Sequence, residues 1–458
     1  MNSYIPYYST NLRSPAVSFR QALLQGQAPD KGLYLPENIP TISREEIMAL
    51  TGMDYYQIAY AISRKFLQGQ LPDSDLLNIV KSAYDYQVPL EKIYDRKYVM
   101  RLDQGPTASF KDFAARMMGR LMQYYLNQDH SELLILTATS GDTGSAIANA
   151  FYGLDNIKVV VLFPEKEVTP RQRKQMTTLG RNIQIIGLQA KFDDCQTLVK
   201  QAFADPDLKN LPLSSANSIN IGRLIPQIIY YFYAFIKLRS GNPDDEIIFS
   251  VPSGNFGDMM GGMLALRMGL PVSRFIIATN ANNEFPLFVK TGKYQKIVPS
   301  LNCISSAMNV GHPSNLARMV ALYRGSMDET GHISRLPDMA RIRREIYAVS
   351  INDKQTRETI FNAYERYNLL LEPHGAVGWA GLQQFLQDNP ELDDEERLLV
   401  SLETAHPAKF PEQIREILGF DPPLPPSLQG LEARPEQFDE LPNEYEAFRN
   451  YLIKNYQK

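Results

Sequence analysis

The stretch EIIFSVPSGNFGDMMGGMLALRM, residues 246–268, decides the fold. It opens with a short apolar run at 246–251, which is typical of a strand buried on both faces. A loop of small residues follows at 252–258, and residues 259–268 carry the apolar pattern of a helix. A strand, a tight loop and a helix in this order form the repeating unit of an α/β protein with a parallel sheet.

The same rhythm recurs along the middle of the chain. Further strand candidates lie at residues 133–138, 158–163, 183–186 and 275–279, with helix-patterned segments between them. This alternation predicts a parallel sheet that is covered by helices on both faces. Because ligands bind to such sheets where strands end and helices begin, the loops at these junctions are the candidates for chemistry.

The two ends of the chain have a different character. Residues 1–90 read as short helices joined by turns, for example at 43–50 and 53–66, and predict a small N-terminal domain. Residues 422–458 begin with four closely spaced prolines and then continue polar and acidic. We expect this tail to be a surface extension that ends in a short helix. The segment 91–421 contains all the strand candidates and is predicted to be the main functional region.

Composition and charge narrow the function classes. The chain has 458 residues, a hydrophobic fraction of 44% and a formal net charge of -4. These values are typical of a globular protein and lack the positive charge that would attract nucleic acid or an acidic membrane surface. The most apolar stretch, residues 224–238, is interrupted by Pro226, Gln227 and Lys237, which favours a core helix over a membrane span. Neither nucleic acid nor a membrane is therefore an expected partner.

The two cysteines, Cys195 and Cys303, lie far apart and have no histidine at metal-ligand spacing. This pattern argues against a disulfide scaffold and against a structural zinc site, so we expect no metal. The N-terminal residues also lack the basic start and apolar stretch of a signal peptide. A reducing cytoplasm is the expected compartment.

The loop at 252–258 is suited to a phosphate group. Small residues let backbone N–H groups approach an anion, and the start of the following helix adds a partial positive charge. A glycine-rich turn after a strand can equally be only a tight connection, and the loop alone does not separate the two readings.

The second unusual junction, residues 139–144, reads Thr-Ser-Gly-Asp-Thr-Gly and follows the strand candidate 133–138. Its hydroxyls, carboxylate and glycines could simply cap the next helix, which is the reading we favour from this loop alone. They could also bind a carboxylate or a second phosphate.

Lys111 stands in the first turn of a helix that begins after the segment 105–110, beside apolar positions at three- and four-residue spacing. Most lysines at such positions are simply solvated. Here the positive field of the helix start disfavours a cation, so it lowers the pKa of Lys111 and favours the neutral amine that reacts with a carbonyl group.

Taken together, these motifs resemble those of the threonine synthase family, whose members use pyridoxal phosphate. The resemblance rests on residues 105–112, 139–144, 215–220, 252–258, 371–378 and 404–410, and on the N-terminal stretches 8–10, 22–24 and 28–36. The N-terminal stretches matter because dehydratases and other relatives share the cofactor loops without them.

The resemblance implies the type II pyridoxal-phosphate fold, with two α/β parallel-sheet units, the cofactor between them and a small, mainly helical N-terminal domain. Lys111 matches the lysine that forms the Schiff base with the cofactor. Thr404 matches the residue that faces the pyridine nitrogen, where a hydroxyl stabilises a protonated ring less than a carboxylate would. The loop that holds the cofactor phosphate corresponds to Gly254, Asn255, Phe256, Gly257 and Asp258.

The implied reaction converts O-phospho-L-homoserine and water into L-threonine and phosphate, with Lys111 moving protons at the substrate carbons. The resemblance points to five residues for the substrate's carboxylate and phosphate: Ser140, Asp142, Thr143, Asn217 and Arg223. Arg223 is the leading candidate for the phosphate because a guanidinium can donate two parallel hydrogen bonds, although an arginine on a helix surface is as common.

Two other functions stay open on sequence alone. The chain could be another pyridoxal-phosphate lyase, such as a hydroxy-amino-acid dehydratase or a phospholyase, or a metabolite-binding homologue without catalysis. His374 and His406 lie inside the matched motifs, but the prolines beside them favour a role in orienting turns. The oligomeric state is expected to be a monomer or a homodimer.

Overall fold

A computed structural model describes residues 4–242 and 244–457. The N-terminal region is built from short helices, as expected, together with one small antiparallel ribbon. Its elements are β1 (Tyr7–Ser9), α1 (Phe19–Gln25), β2 (Tyr34–Pro36), α2 (Arg44–Ala49), α3 (Tyr55–Leu67) and α4 (Asp73–Ala83). Side chains such as Tyr7, Phe19 and Ile58 are fully buried in the same hydrophobic core as the central sheets.

The larger sheet has the strand order β13-β10-β9-β14-β4-β3 among the described residues. These strands are β3 (Leu90–Tyr94), β4 (Lys97–Arg101), β9 (Ile247–Pro252), β10 (Val272–Thr279), β13 (Ile346–Ser350) and β14 (Leu398–Glu403). All neighbours pair in parallel except the hairpin of β3 and β4. The quoted stretch forms β9, and every residue of this strand is buried because neighbouring strands flank it and helices cover it.

The second sheet is parallel throughout, with the order β15-β7-β6-β5-β8 in the described part of the chain. It contains β5 (Leu133–Ala138), β6 (Ile157–Pro164), β7 (Ile183–Leu188), β8 (Leu213–Ser214) and β15 (Asp439–Leu441). The five predicted strands are thus confirmed, and the α/β fold with two parallel-sheet units is confirmed with them. The sequence reading did not identify β3, β4, β13 or β14.

Helices connect and cover the strands. They are α5 (Lys111–Asp129), α6 (Asp142–Phe151), α7 (Pro170–Thr177), α8 (Phe192–Ala204), α9 (Ile225–Leu238), α10 (Gly257–Met268), α11 (Glu284–Thr291), α12 (Leu316–Leu322), α13 (Met339–Glu345), α14 (Asp353–Tyr367), α15 (Pro373–Asp388), α16 (Pro411–Leu418) and α17 (Tyr445–Tyr456). A short ribbon of β11 (Ser326–Met327) and β12 (Ile333–Arg335) lies between α12 and α13. The apolar stretch at 224–238 is the buried helix α9, as predicted. Within the described residues, no helix is long and apolar enough to cross a membrane.

The C-terminal segment is more than the expected surface extension. Its strand β15 pairs in parallel with β7 and extends the second sheet. The helix α17 buries Phe448 and Leu452 against apolar side chains that include Leu198 of α8. The short terminal helix was predicted, whereas the pairing of a three-residue polar strand with a distant edge strand has no signal in the local sequence. Residues 1–3 and 458 of the predicted terminal units lie outside the described residues.

Candidate active site

A cavity of about 910 Å³ opens at the carboxyl ends of strands from both sheets. The loop after β9, the loop after β5 and the start of α5 all line it, so the sequence-predicted loops come together at one place. Residues of the N-terminal region, including Thr10, Asn11 and Gln25, line the same cavity. The site is therefore built from three parts of the chain that are distant in sequence.

The loop between β9 and α10 has the geometry of an anion site. Phe256 adopts a left-handed conformation with φ 62° and directs the chain into α10, whose start has no hydrogen bond from a capping side chain. The first intrahelical bond runs from the N–H of Met260 to the carbonyl of Phe256, at 3.1 Å. A Cβ atom at Gly254 would lie 2.8 Å from the Cα of Met308. The loop is thus tight at its glycine and leaves the helix start uncapped by side chains.

Asn255 and Phe256 hold this loop in place through their side chains. The Asn255 amide donates to the hydroxyl of Ser218 at 2.6 Å and accepts from the N–H of Ser314 at 2.6 Å. The ring of Phe256 packs edge-on against that of Phe285. Since both side chains are committed to protein contacts, the backbone of the loop is the part that is suited to an anion.

The carboxyl group of Asp258, in the first turn of α10, is held by two tyrosines. The hydroxyls of Tyr230 and Tyr231 donate to its Oδ1 at 2.5 and 2.7 Å. Burial raises the pKa of Asp258 to about 6, although the two hydroxyls and the nearby Lys111 oppose the rise. Tyr230 and Tyr231 are core residues, as predicted, and their contact with Asp258 was not foreseen.

The loop between β5 and α6 contains one residue that shapes the start of the helix and others that line the cavity. The hydroxyl of Thr139 accepts the N–H groups of Gly141 and Gly144 at 2.9 and 2.7 Å, so it shapes the helix start as the capping interpretation predicted. Gly141 has φ 125°, a conformation that disfavours any other residue. Ser140 and Thr143 line the cavity.

Asp142 lies between two lysines. Its Oδ1 accepts from Lys409 Nζ at 2.7 Å and from the amide of Gln172 at 2.8 Å. Its Oδ2 lies 3.7 Å from Lys111 Nζ. Burial alone would raise the pKa of Asp142, but Lys409 and Lys111 lower it well below its usual range. Asp142 is thus a permanent carboxylate at neutral pH.

Lys111 is the first residue of α5, as predicted, and its side chain faces the cavity. The ammonium lies 4.7 Å from the centre of the Phe110 ring. Burial lowers the pKa of Lys111, Asp142 opposes this effect, and Lys409 and Arg223 add to it. A largely buried lysine with a lowered pKa at the wall of a cavity is a candidate nucleophile and proton carrier.

Arg223 is buried, which excludes the alternative of an ordinary surface arginine. One of its terminal nitrogens donates to the carbonyl of Ala216 at 2.8 Å, and its Nε has no hydrogen-bond partner among the described residues. Burial lowers the pKa of Arg223 to about 10, so the guanidinium stays positive at neutral pH. Asn217 lines the same cavity, and its buried Oδ1 also has no partner in the described part of the chain.

Thr404 follows the end of β14 and lines the cavity. Its carbonyl accepts the N–H of Phe110 at 2.9 Å, which places it beside the start of α5. His374 also lines the cavity and accepts the N–H of Ala307 at its Nε2, at 3.0 Å. His406 accepts the N–H of Ala408 and orients the turn that follows, and burial lowers the pKa of His406 to about 4.

Sequence reasoning missed the partners of the two aspartates. Lys409 was part of a quoted motif, but nothing in its spacing indicated that it would contact Asp142. Nothing in the local sequence of Gln172, Tyr230 or Tyr231 indicates these contacts, because each side chain meets its aspartate only after distant segments pack together. A buried position flanked by apolar residues was the available clue for Tyr230 and Tyr231.

Three family descriptions match the chain. Pyridoxal-phosphate dependent enzyme matches residues 88–403, Threonine synthase N terminus matches residues 6–84, and Threonine synthase, C-terminal matches residues 375–452. The last match covers β14, β15 and most of α15 and α17, so the C-terminal strand and helix described above belong to a recognised family segment.

Full-length relatives carry the same name. Threonine synthase from Haemophilus influenzae is 38% identical over 449 residues, which is 97% of this chain and 99% of the relative. Threonine synthase from Escherichia coli is also 38% identical and covers 98% of this chain and 99% of the relative. The solved structure of PLP-bound threonine synthase from Brucella melitensis superposes with a TM-score of 0.91, is 36% identical and covers 99% of this chain and 100% of that chain. The chain belongs to the threonine synthase family of pyridoxal-phosphate-dependent enzymes.

Proposed function

We propose that this enzyme converts O-phospho-L-homoserine and water into L-threonine and phosphate. The observation that carries the proposal is the position of Lys111. It is a largely buried lysine at a helix start, in a cavity that is also lined by the uncapped loop before α10 and by the N-terminal region. The last feature favours threonine synthesis over the reactions of relatives that lack this region.

The residues present fit pyridoxal phosphate. The tight backbone at Gly254 and the uncapped start of α10 suit a phosphate group, since N–H groups and the helix dipole both favour an anion. Lys111 and Thr404 line the same cavity and would meet the aldehyde and the ring nitrogen of the cofactor. When bound, pyridoxal phosphate supplies an electron sink that stabilises negative charge developing at the substrate carbons.

Lys111 would then act as the proton carrier. Its lowered pKa increases the fraction that is present as the free amine, which is the form that can take a proton from carbon. The Asp142 carboxylate nearby stabilises the protonated form that results. One side chain can therefore accept a proton at one substrate carbon and return it at another.

Arg223, Asn217, Ser140 and Thr143 would bind the substrate's anionic groups. Arg223 combines a permanent charge with an unused Nε–H, so it is the strongest candidate for the substrate phosphate. Asp142 was expected among these contacts, but a carboxylate that stays ionised would repel both anionic groups of the substrate. We assign it instead to Lys111.

The direct test is incubation of the purified protein, loaded with pyridoxal phosphate, with O-phospho-L-homoserine. We expect equal amounts of L-threonine and inorganic phosphate. Release of a 2-oxo acid in place of threonine would indicate a dehydratase or phospholyase, and binding without product would indicate a homologue without catalysis. A Lys111→Ala variant, purified in parallel, controls for contaminating enzyme.

The attachment point of the cofactor has its own test. Borohydride reduction of the loaded protein followed by peptide mapping should place the pyridoxyl group on Lys111. The buried Lys409, which is also close to Asp142, is the natural alternative, and a label there would overturn the assignment.

We further propose the organisation in three units, residues 1–90, 91–421 and 422–458, as the domain layout, and a monomer or homodimer as the assembly. The N-terminal unit coincides closely with a matched family segment at residues 6–84. Limited proteolysis would test the boundaries, and light scattering on the eluting protein would give the mass in solution.

A further inference from the structure

The two oxygens of the Asp142 carboxylate are used differently. Oδ1 receives two donors, Lys409 Nζ at 2.7 Å and Gln172 Nε2 at 2.8 Å. Oδ2 faces Lys111 Nζ at 3.7 Å. Two hydrogen bonds to one oxygen fix the plane of the carboxyl group, so the second oxygen is held beside the Lys111 amine.

Lys409 is fully buried, and its charge is compensated within the site. It follows β14, whereas Asp142 begins α6 above the other sheet, so their contact bridges the two sheet units. Its ammonium also donates to the carbonyl of Thr107 at 2.9 Å, four residues before Lys111. Removing an ammonium from water is costly, and such a group persists only where partners of this kind hold it.

We propose that Lys409 is a positioning residue of the reaction, which holds the Asp142 carboxylate through Oδ1 and thereby sets how Lys111 exchanges protons. The inference rests on the role proposed above for Lys111. Lys409 and Lys111 share the buried Asp142 carboxylate, so the Lys409 charge opposes the stabilisation that Asp142 gives to the protonated form of Lys111.

The charged groups around Lys111 determine the sign of the effect. Asp142 and Glu372 favour its protonated form, while Lys409 and Arg223 disfavour it. Asp258, in the first turn of α10, also interacts with Lys111, but its carboxyl group is held by tyrosine hydroxyls. Loss of the Lys409 charge removes one positive neighbour of Lys111. Lys111 is then the remaining lysine beside the Asp142 carboxylate, so it should keep its proton to higher pH.

The first experiment measures Lys111 without turnover. The full chain without cofactor is labelled with trace acetic anhydride across a range of pH, and the acetylation of Lys111 is followed by peptide mass spectrometry. Lys409→Met should raise the midpoint of labelling by about 1 pH unit, and Asp142→Asn should lower it by a similar amount. An unchanged midpoint in Lys409→Met would overturn the proposal.

Lys97 provides a matched control. It is also a fully buried lysine, but it contacts Asp95, Asp393 and the carbonyl of Asp394 away from the cavity. Lys97→Met should therefore not change the pH midpoint of Lys111 acetylation, even if it lowers the stability of the protein. Equal shifts in Lys97→Met and Lys409→Met would mean that loss of packing, rather than position, moves Lys111, and this too would overturn the proposal.

The second experiment follows turnover. In the loaded enzyme, the acid limb of kcat against pH should move upward in Lys409→Met by the shift seen in labelling, with a smaller change in KM. If Lys409→Met does not fold, Lys409→Gln removes the charge but keeps a donor, and it should give the same shift. An acid limb that stays in place while wild-type protein makes threonine would defeat this inference alone, whereas absence of threonine from wild type would defeat the proposed function.

Discussion

Two aspartates occupy similar places in the two sheet units, but their side-chain partners differ and their pKa values shift in opposite directions. Asp142 is in the first turn of α6 after β5, and Asp258 is in the first turn of α10 after β9. Both are almost completely buried. Asp142 receives an ammonium group and has a pKa well below its usual range, whereas Asp258 receives two tyrosine hydroxyls and has a pKa raised by burial to about 6.

The difference follows from the partners of each carboxyl group. At α10 the partners are uncharged hydroxyls, whose hydrogen bonds offset only part of the effect of burial, so the pKa of Asp258 stays raised. Beside Lys111 a full negative charge is useful, because it stabilises the amine after it has taken a proton. The same residue type in the first turn of a helix therefore has opposite pKa shifts in the two places, and the partner side chains determine which shift occurs.

The largest expected effect comes from the amine that Asp142 faces. Lys111→Ala removes the proton carrier, and turnover should fall by at least about 10³-fold while the fold is retained. The measurement is threonine formed from O-phospho-L-homoserine, with circular dichroism to check folding. Activity close to that of wild type would show that Lys111 is not the proton carrier and that Asp142, in the first turn of α6, does not act through it.

Arg223 should give the next largest effect. Its guanidinium has no carboxylate partner in the described residues, so Arg223→Met should lower kcat/KM by about 10²-fold through loss of a charged contact to the substrate phosphate, with cofactor binding retained. Arg267→Met is the control, since that arginine is paired with Glu345 at 2.9 Å. Near-normal turnover in Arg223→Met would indicate that the loop containing Ser140 and Thr143, and not Arg223, binds the substrate phosphate.

Gly254 tests the other loop of the comparison. A valine there would place Cβ 2.8 Å from Met308 Cα and push the loop away from its bound position. Gly254→Val should weaken pyridoxal-phosphate affinity by about 30-fold, which corresponds to the loss of one or two hydrogen bonds to a charged group. Gly241→Ala is the control because no atom of the described residues lies within 4 Å of the added atom. Equal affinity in both variants would mean that the loop does not hold the phosphate.

The smallest effect is expected at Asp258. Its carboxyl group contacts tyrosines, so Asp258→Asn should change cofactor affinity by less than about threefold. Folding raises its pKa from 3.8 to about 6, so the folded protein binds this proton more tightly than the unfolded chain. Ionisation therefore destabilises the fold above pH 6, and that penalty shrinks as the pH falls toward 4.

The matching measurement is urea unfolding of the cofactor-free protein at pH 5 and pH 7. Wild type should lose about 1 kcal/mol more of its free energy of unfolding than Asp258→Asn on going from pH 5 to pH 7. The same loss in both proteins would show that Asp258 is ionised at both pH values, and the contrast with Asp142 would then disappear.

Many strands of the two sheets could be predicted from the sequence because they depend on local patterns. The apolar runs that became β5, β6, β7, β9 and β10 each contain their own signal. The strands β4 and β14 were missed for a physical reason: they pair with each other although they lie far apart in the chain, whereas β3 was missed although its partner β4 follows it directly. β14, for example, lies between β9 and β4. Its apolar residues are equally compatible with a buried helix or loop when read alone.

Local sequence was enough to indicate the helix starts and the tight loop that line the cavity. The helix that starts at Lys111, the glycine loop before α10 and the hydroxyl of Thr139 that shapes α6 each depend on a few consecutive residues, because capping and tight turns are short-range interactions. The partners of the charged side chains depend on the tertiary structure. Lys409 meets Asp142 across the two sheet units, and Tyr230 meets Asp258 from another helix, because burial and pairing depend on which distant segments pack together.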